Sequence, residues 1–256
     1  VEAFTRYMQE EQPVKPANIL NIVATNQGKR PLTMETPVAE PLSPEQVKEL
    51  LDQGHIVVDA RSEAAFGAEH IPGAFNVQLS SPEFEQRVGW VTPLDVPIVL
   101  VTETPEEAQR AIYNMAFIAL DSRVVGYLDG GMDAWVQAGY PVMELAQMDV
   151  HTLHQRLSTN GLKVLDVRDT SEWDEGHIEG AHYMSFKEMP ARLDELALTP
   201  EDSIALVCAT GKRSSTAGSF LQRHGYRKLY NVIGGMTAWA NAHYPMVDVT
   251  GCVIQR

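Results

Sequence analysis

Cysteine is nearly absent: the chain holds only Cys208 and Cys252. Two thiols cannot form a disulfide framework in a chain of this length, and such sparing use suits a reducing cytoplasm, the expected compartment. Neither cysteine stands at zinc-site spacing, and the eight histidines form no H-x-H or H-x-x-x-H pair. No metal and no other cofactor is therefore expected. Basic residues are also scarce, 20 against 34 acidic ones, for a net charge of −14. That balance excludes a general nucleic-acid surface, which needs a basic face. No apolar run approaches the roughly 20 residues required to span a bilayer, and nothing at the start reads as a signal peptide, so no membrane partner is expected. The chain opens on Val1 rather than Met, as a processed product or a fragment would.

What is present is a repeat. Asp59-Ala60-Arg61, Phe66 and His70-Ile71-Pro72-Gly73-Ala74 recur as Asp166-Val167-Arg168, Trp173 and His177-Ile178-Glu179-Gly180-Ala181 at the same internal spacing. Gly130-Gly131-Met132-Asp133-Ala134-Trp135 recurs as Gly234-Gly235-Met236-Thr237-Ala238-Trp239, and Tyr140-Pro141 as Tyr244-Pro245. The period is that of a whole domain, too long for a solenoid. The expected organisation is an arm over residues 1–41 and two homologous domains over 42–146 and 148–256. In the second copy Lys163–Val167 and Ser203–Val207 read as buried strands. Ser214–His224, opened by Ser214 and Ser215 and closed by Gly225, and Met236–Asn241 read as helices. Such alternation predicts an α/β fold with a mainly parallel sheet flanked by helices. In the arm, Phe4, Tyr7 and Met8 could share one face of a short helix. Pro13, Pro16, Pro31, Pro37 and Pro41 are expected to interrupt anything further.

One segment carries chemistry: Cys208-Ala209-Thr210-Gly211-Lys212-Arg213-Ser214. Cys208 falls where a strand ends, and a short loop leads into a helix, the usual place for a site in such sheets. A loop curled around the cysteine would turn its backbone N–H groups toward the sulfur, and the helix N-terminus would add its positive end. Both favour the thiolate, the competent nucleophile. Lys212 and Arg213 add charge, and Gly211 permits the turn. No Asp or Glu occurs between Asp202 and Asp248, whereas Lys212, Arg213, Arg223, Arg227 and Lys228 all lie there. A free cysteine at a strand end is often mere packing. The loop, the helix start and the basic surroundings together outweigh that reading.

These residues resemble the rhodanese family of sulfurtransferases. Cys208-x-x-Gly211-x-Arg213-Ser214 resembles its active-site loop, Asp166-Val167-Arg168 with Gly176-His177-Ile178 its amino-terminal signature, and Gly234-Gly235-Met236-x-Ala238-Trp239 its carboxy-terminal one. The resemblance spans about residues 42–256 and implies two tandem domains, each a doubly wound, mainly parallel sheet. It implies sulfur transfer through a Cys208 persulfide, from a small anionic donor such as thiosulfate or a thiol persulfide to a thiol or cyanide. The amides of Ala209, Thr210 and Gly211, with Lys212, Arg213 and Ser214, would bind the donor. Asp166 and Arg168 would be supporting residues, and Arg168 and Glu172 a structural pair. The stretch Phe4-x-x-Tyr7-Met8, Pro13-x-x-Pro16-x-Asn18 and Asn26-Gln27-Gly28 resembles the tail of a metallo-β-lactamase-fold module. Such modules precede tandem rhodanese domains in persulfide dioxygenase fusions, which makes an upstream module an expected partner.

The first copy departs from the pattern at its loop. Aligning Pro97–Val101 with Ser203–Val207 puts Thr102 opposite Cys208, followed by Glu103-Thr104-Pro105-Glu106-Glu107. With no thiol, no Gly or Arg and three carboxylates, this domain is expected to be inert and to shape the cleft. His177 is expected to make a buried hydrogen bond, Trp135 and Trp239 to be core, and Cys252 to be a bystander. Two rival functions remain at this level. A cysteine-dependent phosphatase would place five residues between cysteine and arginine, where only Ala209 to Lys212 intervene here. A sulfur carrier or interaction module would use the same loop without turnover.

Overall fold

The computed structural model describes residues 4–6, 15, 18–30, 35, 37–158 and 161–254. The sequence repeat becomes a repeat of sheets. In the first copy β1 (Pro41–Leu42), β2 (Ile56–Asp59), β3 (Phe75–Asn76), β4 (Ile98–Val101) and β5 (Val124–Leu128) lie in the order β1-β5-β4-β2-β3. In the second, β6 (Ala146–Met148), β7 (Leu162–Asp166), β8 (His182–Tyr183), β9 (Ser203–Val207) and β10 (Lys228–Val232) lie in the order β6-β10-β9-β7-β8. Strand for strand the two orders are the same, and every pairing in both sheets is parallel. A separate antiparallel pair, β11 (Met246–Val247) and β12 (Val253–Ile254), follows.

The central strands are apolar without alternation because both faces are covered. β4 reads Ile-Val-Leu-Val and is buried throughout, and β9 is buried from Ile204 to Val207. A parallel sheet sandwiched by helices selects for such runs. The order places the topological switch of the second sheet between β9 and β7, so their carboxyl ends frame the crevice where sites in this fold class form.

The strand read as Lys163–Val167 lies one residue earlier and the helix read from Met236 starts at Gly235; two elements differ by more. The helix after β9 runs Lys212–Arg223, two residues earlier than Ser214, because Gly211 at φ +104° makes the turn and stands as its N-cap. Ser214 and Ser215 look like caps in sequence, yet their hydroxyls serve tertiary partners: Ser214 Oγ donates to Asn231 Oδ1 at 2.6 Å, and Ser215 Oγ to Asn76 Oδ1 at 2.6 Å. In the arm, a helix at Ile19–Asn26 stands between Pro16 and Pro31, which flank it instead of forbidding it. Asn18, buried beside its start, donates through Nδ2 to Ile118 O at 2.7 Å and ties the arm to the first copy. Of the expected amino-terminal face, Phe4 is described and exposed, whereas Tyr7 and Met8 lie outside the described residues.

The copies share one core. A continuous apolar cluster runs from Val58, Phe75 and Val88 of the first copy to Leu206, Cys208, Ala217 and Phe220 of the second. A smaller one, with Val207, Met236 and Trp239, fills the outer face of the second sheet. The helix Lys212–Arg223 is buried from Ser214 to Gln222 and lies against β3 of the first copy. Its polar face is met by Asn76, whose N–H donates to Ser219 Oγ at 2.9 Å and whose side chain accepts from Gln78 Nε2 at 2.6 Å. Buried serines on a helix are tolerable only when partnered in this way.

Candidate active site

Cys208 is the first residue after β9 and is 1% exposed, on the side of its sheet that joins the shared core. The next residues form a tight curl with a backbone logic. The carbonyls of Cys208, Ala209 and Thr210 point outward and accept from the amides of Met236 at 2.7 Å, Thr237 at 3.0 Å and Gly234 at 3.2 Å. In a trans peptide the C=O and the following N–H point in opposite directions. The N–H groups of Ala209, Thr210 and Gly211 are thereby turned away from that latch, toward the inside of the curl. The last of them donates to Cys208 Sγ at 3.1 Å. Successive inward amides make an anion-binding nest, reinforced by the N-terminus of the helix Lys212–Arg223.

Ser214 Oγ lies 3.4 Å from Cys208 Sγ and 2.6 Å from Asn231 Oδ1. Its single proton goes to the shorter contact, which leaves the hydroxyl oxygen facing the sulfur. Asn231 is fixed in turn by donating through Nδ2 to Gln147 Oε1 at 2.9 Å. Lys212 reaches across the domain boundary and donates through Nζ to Ser80 Oγ at 3.1 Å.

The charged residues pair differently from the sequence expectation. Arg168 pairs with Asp166, not with Glu172: Nη2 donates to Oδ2 at 2.6 Å, Nε reaches both carboxylate oxygens at 2.9 Å, and Nη2 also donates to Gly176 O at 2.8 Å. Asp59 and Arg61 form the same buried pair in the first copy, where no cysteine exists, with Nη2 to Oδ2 at 2.7 Å. Glu172 binds Arg213 instead, with Nη1 to Oε2 at 2.5 Å and Nη2 to Oε1 at 2.6 Å, and Asp169 lies 3.6 Å from the same guanidinium. Burial works against the Arg213 charge, but the Glu172 hydrogen bonds and the negative charges of Cys208, Glu172 and Asp169 outweigh it, so the guanidinium holds its proton more tightly than usual. Its fork is thus occupied by carboxylates. The residue that sequence assigns to the donor therefore has both Nη groups on Glu172, at the start of the helix Lys212–Arg223. The acid-free stretch around the cysteine is likewise acid-free only in sequence, since residues 169 and 172 reach it from the preceding strand–helix turn.

The first copy's loop is one residue shorter, with three residues between β4 and the helix Pro105–Ala116, against four between β9 and Lys212. Its groups are turned to local capping. Thr102 Oγ1 donates to Thr104 O at 2.9 Å, and the Glu103 N–H donates to Glu107 Oε2 at 3.2 Å. His177 Nδ1 meets Trp173 O at 3.1 Å, as His70 Nδ1 meets Phe66 O at 2.7 Å. Trp135 and Trp239 are core, donating to Pro141 O and Pro245 O. Cys252 is an exposed free thiol. A cleft of about 300 Å³ is lined by Arg168, Glu172, Ala209 and Thr237 among others.

Sequence reasoning missed Gly235 and Asn231. Gly235 lets the helix Gly235–Asn241 approach the curl so closely that a Cβ there would stand 2.1 Å from Cys208 O. The repeated Gly-Gly pair was the available signal, though as sequence it marks only a helix start.

The family profile described as Rhodanese-like domain matches residues 43–138 and 149–242. The chain is similar to a protein of Allochromatium vinosum named Sulfurtransferase, 32% identical over 107 residues, which are 41% of this chain and 97% of that protein. It is similar to a Bacillus subtilis protein named as a sulfur carrier, 34% identical over 82 residues, or 32% of this chain; the match spans less than half of that protein, 43%. Among solved structures it resembles a rhodanese-like domain from Anabaena, with 30% identity, 42% of this chain and 81% of that one covered, and a TM-score of 0.38.

Proposed function

The chain belongs to the rhodanese family, and from that premise we propose that it is a sulfurtransferase working through a persulfide on Cys208. The observation that carries this reading is the latched curl, with its carbonyls held outward and the Gly211 amide on the sulfur. Such a nest stabilises negative charge on Sγ and, after transfer, on the outer sulfur of a persulfide. The Cys208 thiolate attacks the outer sulfur of thiosulfate or of a thiol persulfide. A new S–S bond forms to Sγ, and the donor's S–S bond breaks with its electron pair leaving on sulfite or on the donor thiolate. An acceptor thiol or cyanide then attacks the outer sulfur, and the Cys208 thiolate returns. No external oxidant or reductant enters either step.

In this reading Ala209, Thr210 and Gly211 contribute amides, Ser214 an oxygen beside the sulfur, and Lys212 charge at the domain boundary. Asp166, Arg168, Glu172 and Arg213 hold the frame. The first domain transfers nothing, because its loop has neither thiol nor nest. With an upstream metallo-β-lactamase-fold module, the natural donor would be a low-molecular-weight thiol persulfide or thiosulfate. The test is intact-protein mass after incubation with thiosulfate or with glutathione persulfide. Wild type and Cys252→Ser should each gain about 32 Da per turnover-competent site, and Cys208→Ser should gain nothing. No gain on the folded wild type with either donor, or hydrolysis of an aryl phosphate instead, would sink the reading.

A further inference from the structure

With Arg213 committed to Glu172, the loop itself offers a compact dianion only Lys212, and the first copy holds a second cation. Arg87 lies on the helix Phe84–Val91 of the first copy, and its side chain is 9% exposed. It has one carboxylate contact, Nη2 to Glu83 Oε2 at 3.1 Å, and that carboxylate is 42% exposed. Its Nε and Nη1 are buried and have no hydrogen-bond partner among the described residues. Lys187, Arg168 and Arg213 are each paired with a carboxylate at 3.0 Å or less, and Lys212 reaches away to Ser80 Oγ at 3.1 Å.

Arg87 is also turned toward the second copy. Its guanidinium lies 5.9 Å from the ring of Phe186, and Trp90, one turn further on, meets the same ring edge-on at 5.8 Å. The indole Nε1 of Trp90 and the hydroxyl of Ser185 are likewise buried without a partner among the described residues. Donors left over from two segments that pack together describe a wall built to meet an acceptor. The ring that Arg87 meets stands at the strand ends that carry the sulfur: Phe186 N donates to Val167 O at 3.1 Å, and Val167 N donates to Val207 O at 2.9 Å, one residue before Cys208. A buried guanidinium with two unmet donors is costly to the fold, and helix packing alone would be served as well by an apolar side chain.

We propose that Arg87, contributed by the inert first copy, binds the sulfonate oxygens of a thiosulfonate-type donor as its outer sulfur is passed to Cys208. The proposal rests on the sulfurtransferase reading above and names the donor class for the same site. In the step, the Sγ–S bond forms as the S–SO₃ bond breaks, and the electron pair leaves on sulfite. The charge on the sulfonate oxygens grows as sulfite departs, which is where a preorganised guanidinium acts most strongly. An alkyl persulfide carries no such oxygens beside the scissile bond, so its transfer does not call on Arg87.

The test compares single-turnover loading of Cys208 by thiosulfate and by glutathione persulfide, read as intact mass, in wild type, Arg87→Gln and Arg87→Lys. Arg87→Gln is expected to load from thiosulfate about 10- to 100-fold more slowly, the loss typical of one charge-assisted hydrogen-bonding group, with persulfide loading within about twofold of wild type. Arg87→Lys should fall between, and neither variant should melt below wild type, because the removed group is poorly partnered. Equal thiosulfate rates in wild type and Arg87→Gln would overturn the proposal. So would a matched loss with both donors accompanied by a lower melting temperature, since that marks a structural residue. A wild type that loads from persulfide alone removes the thiosulfonate donor while leaving the sulfurtransferase reading intact; one that loads from neither removes both.

Discussion

Gly235→Ala is the sharpest perturbation of the nest, because the same motif in the first copy supplies its control. A Cβ at Gly235 would stand 2.1 Å from Cys208 O and 2.8 Å from both the carbonyl carbon and oxygen of Ala209. These are backbone atoms fixed by the amides of Met236 and Thr237, so they cannot swing aside as a side chain would. Ordinary contact begins near 3.4 Å, so the curl must retreat by about an ångström and both latch bonds stretch out of range. Two strained or lost buried hydrogen bonds cost about 1 kcal/mol each. Residue 235 also sits at φ +50°, where a side chain adds about 1 kcal/mol more. The sum is about 3 kcal/mol. Gly131, its counterpart, is at φ +59°, but its Cβ would meet Thr102 O at 3.4 Å, an ordinary contact. Gly131→Ala therefore carries only the backbone term, about 1 kcal/mol.

Urea denaturation of the two variants followed by tryptophan fluorescence separates these values, since each kcal/mol moves the midpoint by several tenths of a molar. Loading of Cys208 by a sulfur donor should fall sharply in Gly235→Ala and stay near wild type in Gly131→Ala. Equal destabilisation of the two variants would refute the close approach of the helix Gly235–Asn241 to the curl. Unchanged loading in Gly235→Ala would refute the claim that the latch shapes the nest.

Two further substitutions probe the frame. Asp166→Asn leaves the buried guanidinium of Arg168 without its counter-charge and should cost about 3–5 kcal/mol, with Asp59→Asn costing about as much in a domain that has no cysteine; thermal melts check both, and a stable but inactive Asp166→Asn would show a chemical role instead. For Glu172, burial raises the carboxyl's proton affinity, but the two hydrogen bonds and the charge of Arg213 win, and its pKa is held below the ordinary 4.5. Its contribution is then complete above 4.5 and fades as pH falls through the lower folded value. Melting curves between about pH 6 and 3 should show a smaller acid loss in Glu172→Gln than in wild type, on a baseline lowered by roughly 1–3 kcal/mol; parallel curves would contradict the pairing.

The fold and the nucleophile were legible because both are written locally. Non-alternating Val, Ile and Leu runs mark covered parallel strands, the repeat fixes the number of sheets, and a strand–Cys–Gly–helix sequence places the sulfur at a crevice. Ser203–Val207 agrees residue for residue with β9. What sequence could not supply was partner choice over distance. Arg213 and Glu172 are 41 positions apart and meet only because β9 and β7 are neighbours. Ser214 and Ser215 looked like helix caps because propensity describes a residue against water, whereas these two face Asn231 and Asn76 inside the protein. Arg87 gave no signal at all. An arginine on an amphipathic helix reads as a solvated face until the packing of the second copy buries it.

The two copies also show which parts of the pattern belong to the fold and which to the site. The Asp–Arg pair, the His–carbonyl contact and the Trp–carbonyl contact recur in both, with like partners and nearly like distances. Features that survive in a copy without a thiol cannot owe their presence to sulfur chemistry there, and Asp166, Arg168, His177 and Trp239 are all among them. The features confined to the second copy are the longer loop, the outward carbonyls, their latch to residues 234–237 and the Gly211 amide on Sγ. No counterpart of that latch occurs at Thr102 among the described residues, and the Glu103 amide is spent on Glu107. The missing cysteine is therefore the least of what the first copy lacks. A thiol at position 102 would precede a hydroxyl-capped helix start carrying Glu103, Glu106 and Glu107, where Cys208 has the Gly211 amide, and carboxylates oppose the charge that sulfur transfer has to develop.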